Sequence, residues 1–246
     1  MGFEFWVSSL IATAGLAERW RPRVVCGMAN NGAIAQKLTR ATLSEAVREL
    51  SACDPGLARI VATHGPPPLW ARPQGFETLV RIILEQQVSL KSAATLSKRV
   101  ALGLDGITPT SVRSAGVEGL RGHGLTRQKA AYVVALAERV ESGALPLRTL
   151  SKLDDSAVAA LLKSVPGIGP WSASIYQLMA LRRPDVWPPG DLALHKAMQR
   201  LHAMPTMPSS DEATRLAERW APWRAVAARI LWHNYLEAQR LARKHV

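Results

Sequence analysis

Apolar residues recur along this chain every three or four positions, the spacing that lines one face of an α-helix, and stretches of strict alternation are almost absent. From Thr42 to Ala52 a cap-like threonine precedes apolar residues at helical spacing. The run Gly65-Pro66-Pro67-Pro68-Leu69-Trp70 then breaks the pattern. Phe76 to Val100 predicts a long buried helix, a bend near Val88–Ser89 and a second helix. Gly122-His123-Gly124-Leu125 is another break, after which Thr126 caps a predicted helix from Arg127 to Val140. A further helix runs from about Ser156 to Ser164, with Asp154 or Asp155 at its start. Val165-Pro166-Gly167-Ile168-Gly169-Pro170 separates it from a helix opening at Trp171. The proline-rich stretch from Pro184 to Gly190 leads to Asp191, which begins the helix Leu192–Leu201, and a last helix covers Trp223 to Arg243. The expected fold is therefore all-α with short connections. Residues 1–40 read as a loosely specified extension, within which Met28 is an alternative start. Residues 41–246 read as one helical domain.

Charge narrows the choice of partner. The 31 Lys and Arg outnumber 19 Asp and Glu, for a formal charge of +12. Basic side chains placed at phosphates release condensed counterions, so a polyanion is favoured. A membrane surface would fit the charge too, but no run reaches the ~18 apolar residues of a spanning helix. The apolar N-terminal run Phe5–Leu16 has its basic residues after it, the wrong order for a secretory signal. Cys26 and Cys53 lie in neither a CxxC pair nor a His cluster, which argues against a thiolate metal site or a disulfide framework and suits a reducing compartment.

The hairpin at 165–171 carries the most chemistry. Gly167 and Gly169 permit positive φ and close approach of a ligand, and Ile168 between them can anchor the turn from below. The helix that follows points its first amides at the same place. Together they make a cradle for an anion such as a DNA phosphate. A tight turn between packed helices would use the same residues and bind nothing. Asp191 has two readings as well, a helix cap or a working carboxylate. Asp185 is the nearest competitor, in the loop after Pro184.

The ordered set Val-Pro-Gly-Ile-Gly-Pro-Trp-Ser-Ala, then Pro188-Pro189-Gly190-Asp191, resembles the helix-hairpin-helix DNA glycosylases. Phe76–Leu90 and the stretch from Trp220 to Ala228 match the same pattern, so the resemblance covers roughly Leu57 to Tyr235. It implies two helical subdomains with a cleft between them, double-stranded DNA containing damaged bases as partner, Pro166, Gly167, Ile168 and Gly169 on the DNA backbone, and Asp191 as catalytic carboxylate. Endonuclease III-like members carry a lysine two residues after the second hairpin glycine; here Trp171 stands there, which implies base removal without strand cleavage. No cysteine follows Cys53, so the four-cysteine iron–sulfur cluster of those members is not expected. The resemblance is to the alkylpurine branch, of 3-methyladenine DNA glycosylase II type, acting without a cofactor or metal, as a monomer, in the cytoplasm or at a bacterial nucleoid. The alternatives are a glycosylase for uracil, oxidised or mismatched bases, and a noncatalytic DNA-binding module.

An alkylated purine is electron-poor, and aromatic faces can hold it. Eight tryptophans against three phenylalanines is consistent with such a pocket. Trp171, beside the hairpin, is the first candidate, followed by Tyr176, Trp187 and Trp70; for each, core packing is the competing reading. For Trp220, Trp223 and Trp232 core packing is preferred. Ile175 stands where the alkylpurine enzymes carry a pocket tyrosine, which Tyr176 misses by one residue. In the family pattern Gln86 or Gln87, with Ser89, falls where a wedge fills the gap left by a flipped base. Lys91, Arg127 and Lys129 suit phosphate contact, and His195, one turn beyond Asp191, reads as a satisfied surface histidine.

Overall fold

A computed structural model describes residues 37–242, which form eleven α-helices and short 3₁₀ and π turns, with no strand among the described residues. The predicted extension lies outside the described residues except for its last four. Helix α1 (Arg40–Cys53) starts earlier than its sequence suggests: Thr39 is the cap, and Thr42 completes a reciprocal capping box by accepting from the Thr39 amide at 2.8 Å. Asp54 then caps α2 (Pro55–His64), whose Pro55 occupies the first turn, where no amide partner is needed. Cys53 is disulfide-bonded, whereas its sequence context reads as a reduced thiol.

The predicted bend holds: α3 (Phe76–Glu85) ends just before it, and Ser89 caps α4 (Leu90–Gly103) by accepting from Ser92. Helix α5 (Pro109–Gly122) has no counterpart in the sequence reading. Its glycines and its few buried apolar positions, Val112 and Leu120, hide the helical period, and Gly116 kinks it at φ 61°. Thr126 caps α6 (Arg127–Glu141) as read, and of the two aspartates read at the start of α7 (Asp155–Lys163) it is Asp154 that caps it. After the hairpin, α8 (Pro170–Tyr176) runs into a π turn over Gln177–Leu181 that Arg182 ends in the left-handed conformation. Then come α9 (Leu192–Leu201), α10 (Ser210–Ala217) and α11 (Arg224–Ala242).

Packing sorts the helices into two groups. Helices α1, α2, α9, α10 and α11 pack on one another, so the start and end of the described chain share a subdomain; α3 to α8 form the other. One apolar core runs through both, from Leu50 and Leu57 to Ile83, Leu136 and Leu231. No helix among the described residues is long and apolar enough to cross a membrane.

The seam between the groups is stitched largely through backbone carbonyls, which accept from amides and from a buried arginine. The π turn leaves carbonyls unpaired within the helix, and these are taken up from outside it. Arg72 donates its amide to Met179 O at 3.0 Å, and Leu38 donates to Arg182 O at 2.8 Å. Arg229 of α11, fully buried, donates to Leu178 O at 2.7 Å, to Leu69 O in the linker at 2.9 Å and to Ala225 O on its own helix at 2.9 Å. Asp185 grips Arg224 through two contacts of 2.8 Å, which commits that carboxylate to holding the loop before α9 against α11. Arg229→Met leaves the carbonyls of Leu69 and Leu178 without this donor, and buried unsatisfied groups cost about 1–3 kcal/mol each. We expect urea unfolding to show a loss of about 2 kcal/mol or more.

Candidate active site

Asp191 follows Gly190, whose φ of 74° turns the proline-rich loop into α9. Its Oδ1 accepts from the Leu194 amide at 3.0 Å, so the cap reading is correct. The carboxylate does more than cap. Oδ1 also accepts from Trp232 Nε1 at 3.1 Å, and Oδ2 accepts from Trp171 Nε1 at 2.9 Å. Trp171 belongs to one subdomain and Trp232 to the other, so Asp191 sits on the seam. The residue is only 9% exposed, and all three donors are uncharged N–H groups. Such a shell orients the two oxygens without adding a counter-charge.

His195 is buried, where the sequence suggests a surface residue. Burial lowers its pKa, against an opposing pull from the Asp191 charge, and its Nε2 has no partner among the described residues. The imidazole is therefore held neutral beside the carboxylate at neutral pH.

In the hairpin, Ile168 is buried beneath the turn as expected, and its amide donates to Val165 O at 3.1 Å. The two glycines differ in kind. Gly167 has φ 84°, and a Cβ there would lie 2.3 Å from the Tyr132 ring, so packing within the protein requires glycine. Gly169 has an ordinary φ of −86°, and a Cβ there would meet nothing within 4 Å. Nothing in the protein's own packing asks for glycine at this exposed position, so the space above it is open to a ligand. A cleft of about 720 Å³ runs alongside, lined by Gln87, Tyr132, Lys163, Pro166, Gly167 and Gly169 among others; Asp191 is not in its wall.

Several sequence candidates are engaged elsewhere. Gln86 donates to Gly167 O at 2.8 Å and to Ser172 Oγ at 2.9 Å, tying the end of α3 to the hairpin. Gln87 is exposed with φ 57°, and Val88 beside it is also exposed, so of the two glutamines it is Gln87 that stands clear. Lys129 is not a free surface cation: its Nζ donates to Leu84 O and Gln86 O at 2.8 Å each, and burial lowers its pKa. Lys91 is exposed, Ser89 is the cap of α4, and Arg127 makes only a loose exposed pair with Glu118 at 3.7 Å.

The aromatic candidates divide similarly. Trp171 is half-buried against Asp191. Tyr176 is fully buried, its hydroxyl accepting from the Gly75 amide at 3.0 Å, and burial pushes its pKa up to about 12. It packs the core and presents no face to a base. Trp187 is likewise core, with its ring 5.8 Å from that of Trp220. Trp70 stays half-buried at φ 44°, edge-on to His233, the neighbour of Trp232. Trp220 and Trp223 donate to Asp54 and Glu49, as structural residues would. Trp232, read from sequence as core, is the residue that pattern alone misses. The one available signal is general: a buried indole seeks an acceptor for its N–H. Among the described residues no cluster of His, Cys, Asp or Glu is placed to hold a metal ion.

Known proteins resemble this chain in sequence and in fold. DNA-3-methyladenine glycosylase 1 of Schizosaccharomyces pombe is 27% identical over 198 residues, covering 78% of this chain and 87% of that protein. DNA-3-methyladenine glycosylase 2 of Escherichia coli is 31% identical over 170 residues; the match spans 65% of this chain but 57% of that longer protein. Among solved structures, a 3-methyladenine DNA glycosylase of S. pombe in complex with abasic DNA superposes with a TM-score of 0.70 at 26% identity, covering 76% of this chain and 95% of that one. Residues 80–222, the span from α3 to the approach to α11, match the family described as HhH-GPD superfamily base excision DNA repair protein. The chain belongs to the HhH-GPD superfamily of base excision DNA repair proteins.

Proposed function

We propose that this protein is a monofunctional DNA glycosylase that hydrolyses the N-glycosidic bond of alkylated purines, such as 3-methyladenine and 7-methylguanine, flipped out of duplex DNA. The observation that carries the reading is Asp191: a nearly dry carboxylate, fully ordered by uncharged donors, opening the helix that follows a hairpin with an open glycine. Relatives named as 3-methyladenine DNA glycosylases supply the substrate class.

The chemistry follows from charge. Extruding a nucleotide costs a few kcal/mol. As the C1′–N bond lengthens, the electron pair leaves with the base and positive charge builds on the sugar. A fixed anion beside that centre, in a site with little water, stabilises it. A cationic alkylated purine leaves as a neutral base, so no strong general acid is required. Water then adds to C1′ and gives up a proton. Trp171 occupies the position where an amine nucleophile would attack the sugar, and an indole cannot do so. That supports hydrolysis without strand cleavage. Trp171 and Trp70 are the aromatic surfaces offered to a base, Gln87 the wedge, and Gly169 with the amides that open α8 the phosphate seat.

Duplex DNA treated with a methylating agent is the direct test. Wild type is expected to release 3-methyladenine or 7-methylguanine, identified by chromatography, and to leave strands intact until alkali is added. Asp191→Asn should lose roughly 10²–10³ in kcat while still binding DNA. Undiminished release by Asp191→Asn, or no release from methylated, uracil-containing or oxidised duplexes, would sink the reading.

The two hairpin glycines give a separate prediction. Gly169→Ala should leave the melting temperature within the range of a surface change, about 0.5 kcal/mol. Its DNA affinity should fall by about 1 kcal/mol, the worth of one hydrogen bond. Gly167→Ala should lose stability first, by about 1–3 kcal/mol, because its Cβ collides with the Tyr132 ring. Equal effects of the two changes on thermal unfolding would contradict this division of labour.

A further inference from the structure

We propose that Trp232 is a positioning residue for Asp191, and that its indole N–H together with that of Trp171 fixes the plane of the carboxylate so that one acceptor site of Oδ2 faces the reacting sugar. The inference rests on the glycosylase reading and adds to it a residue that neither the hairpin pattern nor the family span, which ends at residue 222, includes.

A carboxylate oxygen has two good acceptor directions. Oδ1 fills both, with the Leu194 amide at 3.0 Å and Trp232 Nε1 at 3.1 Å. Oδ2 fills one, with Trp171 Nε1 at 2.9 Å. The remaining site of Oδ2 is the one place where the anion can meet a substrate atom or a water. The cap bond alone would let the carboxylate turn about Cβ–Cγ; donors on both oxygens, from α11 and α8, stop that rotation. The direction of the Trp232 ring is itself set. It is 8% exposed within the core, one turn along α11 from Arg229, whose three carbonyl contacts fix the helix against the linker and the π turn. Indole is suited to the task, because its body packs as core while its single donor holds the anion without adding a counter-charge.

Small errors of placement are costly in such a site, where a misplacement of about 1 Å can cost about a hundredfold. Trp232→Phe keeps an aromatic body and removes the donor. In the full-length protein, single-turnover base release by this variant is expected to fall about ten- to hundredfold, with DNA affinity and thermal midpoint near wild type. In an Asp191→Asn background the same change should add no further loss, since there is no longer an anion to position. A purely structural role would lower stability and DNA binding, and would act equally in both backgrounds. A second measurement needs no turnover. In the ¹⁵N spectrum, the Trp232 indole signal should shift on Asp191→Asn, together with that of Trp171. A Trp232 signal indifferent to Asp191→Asn overturns the proposal, as does a Trp232→Phe enzyme that releases base at the wild-type rate. A wild type that releases no base from any substrate overturns the glycosylase reading, and the positioning role with it, even where the indole signal still responds.

Discussion

A single buried guanidinium sets the geometry on which everything else depends. Arg229 has no exposed surface, and its contacts are carbonyls: Leu69 in the linker, Leu178 in the π turn and Ala225 on its own helix. Burial lowers its pKa to about 10, which still leaves it charged at neutral pH. A cation so placed is tolerable only because carbonyl dipoles replace its hydration. The π turn makes this possible, because an i→i+5 step releases a carbonyl that a regular helix would use itself. The two features are therefore one device. The irregularity after α8 exposes Leu178 O and Arg229 fills the gap, so α11 docks on the hairpin helix at a fixed height. Trp232 and Trp171, from opposite sides of the seam, then reach the same carboxylate.

That carboxylate is unusual for what does not surround it. A buried anion is most simply stabilised by a cation, and the chain has cations to spare. Yet the bonds to Asp191 come from one amide and two indoles, and the nearby His195 is kept neutral by burial. A counter-ion would hold the carboxylate just as firmly but would cancel the field that the proposed reaction requires at the sugar. Uncharged donors supply orientation and leave the net charge in place. The same logic fits Trp171 beside the hairpin: its indole orients the carboxylate without neutralising it.

How much of this was legible in the sequence depends on the range of each interaction. Caps act over three residues: Thr126 and Asp191 cap the helices read for them, and of the two aspartates read at the start of α7 it is Asp154 that caps it. The hairpin is equally local, and Ile168 anchors it as its apolar character implies. Helices α2, α5 and α10 went unread because prolines, glycines and small residues blur their period. What no local pattern discloses is commitment at a distance. Lys129 has the look of a phosphate contact until its amine is found on carbonyls of α3, and Gln86 that of a wedge until its amide is found on the hairpin. Tyr176 and Trp187 carry the chemistry of a base pocket but lie in the core, whereas Trp232, read as core, touches the carboxylate.

The basic charge deserves the same scrutiny. A formal +12 draws the chain toward polyanions, but the cations near the site are not uniformly available to one. Arg229 and Arg183 are buried on carbonyls, Arg224 is held by Asp185, and Lys129 closes the end of α3. These residues brace the structure around the site. Lys129 holds Gln86 O, Gln86 holds Gly167 O, and Gly167 packs on Tyr132, so the turn bearing Gln87 and the hairpin move as one piece. In the proposed complex, a wedge at Gln87 and a phosphate seat at the hairpin must keep a constant separation, because the DNA backbone fixes the distance between their targets. An internal cation contributes that rigidity, and the proposed phosphate seat at Gly169 then needs no side-chain charge of its own.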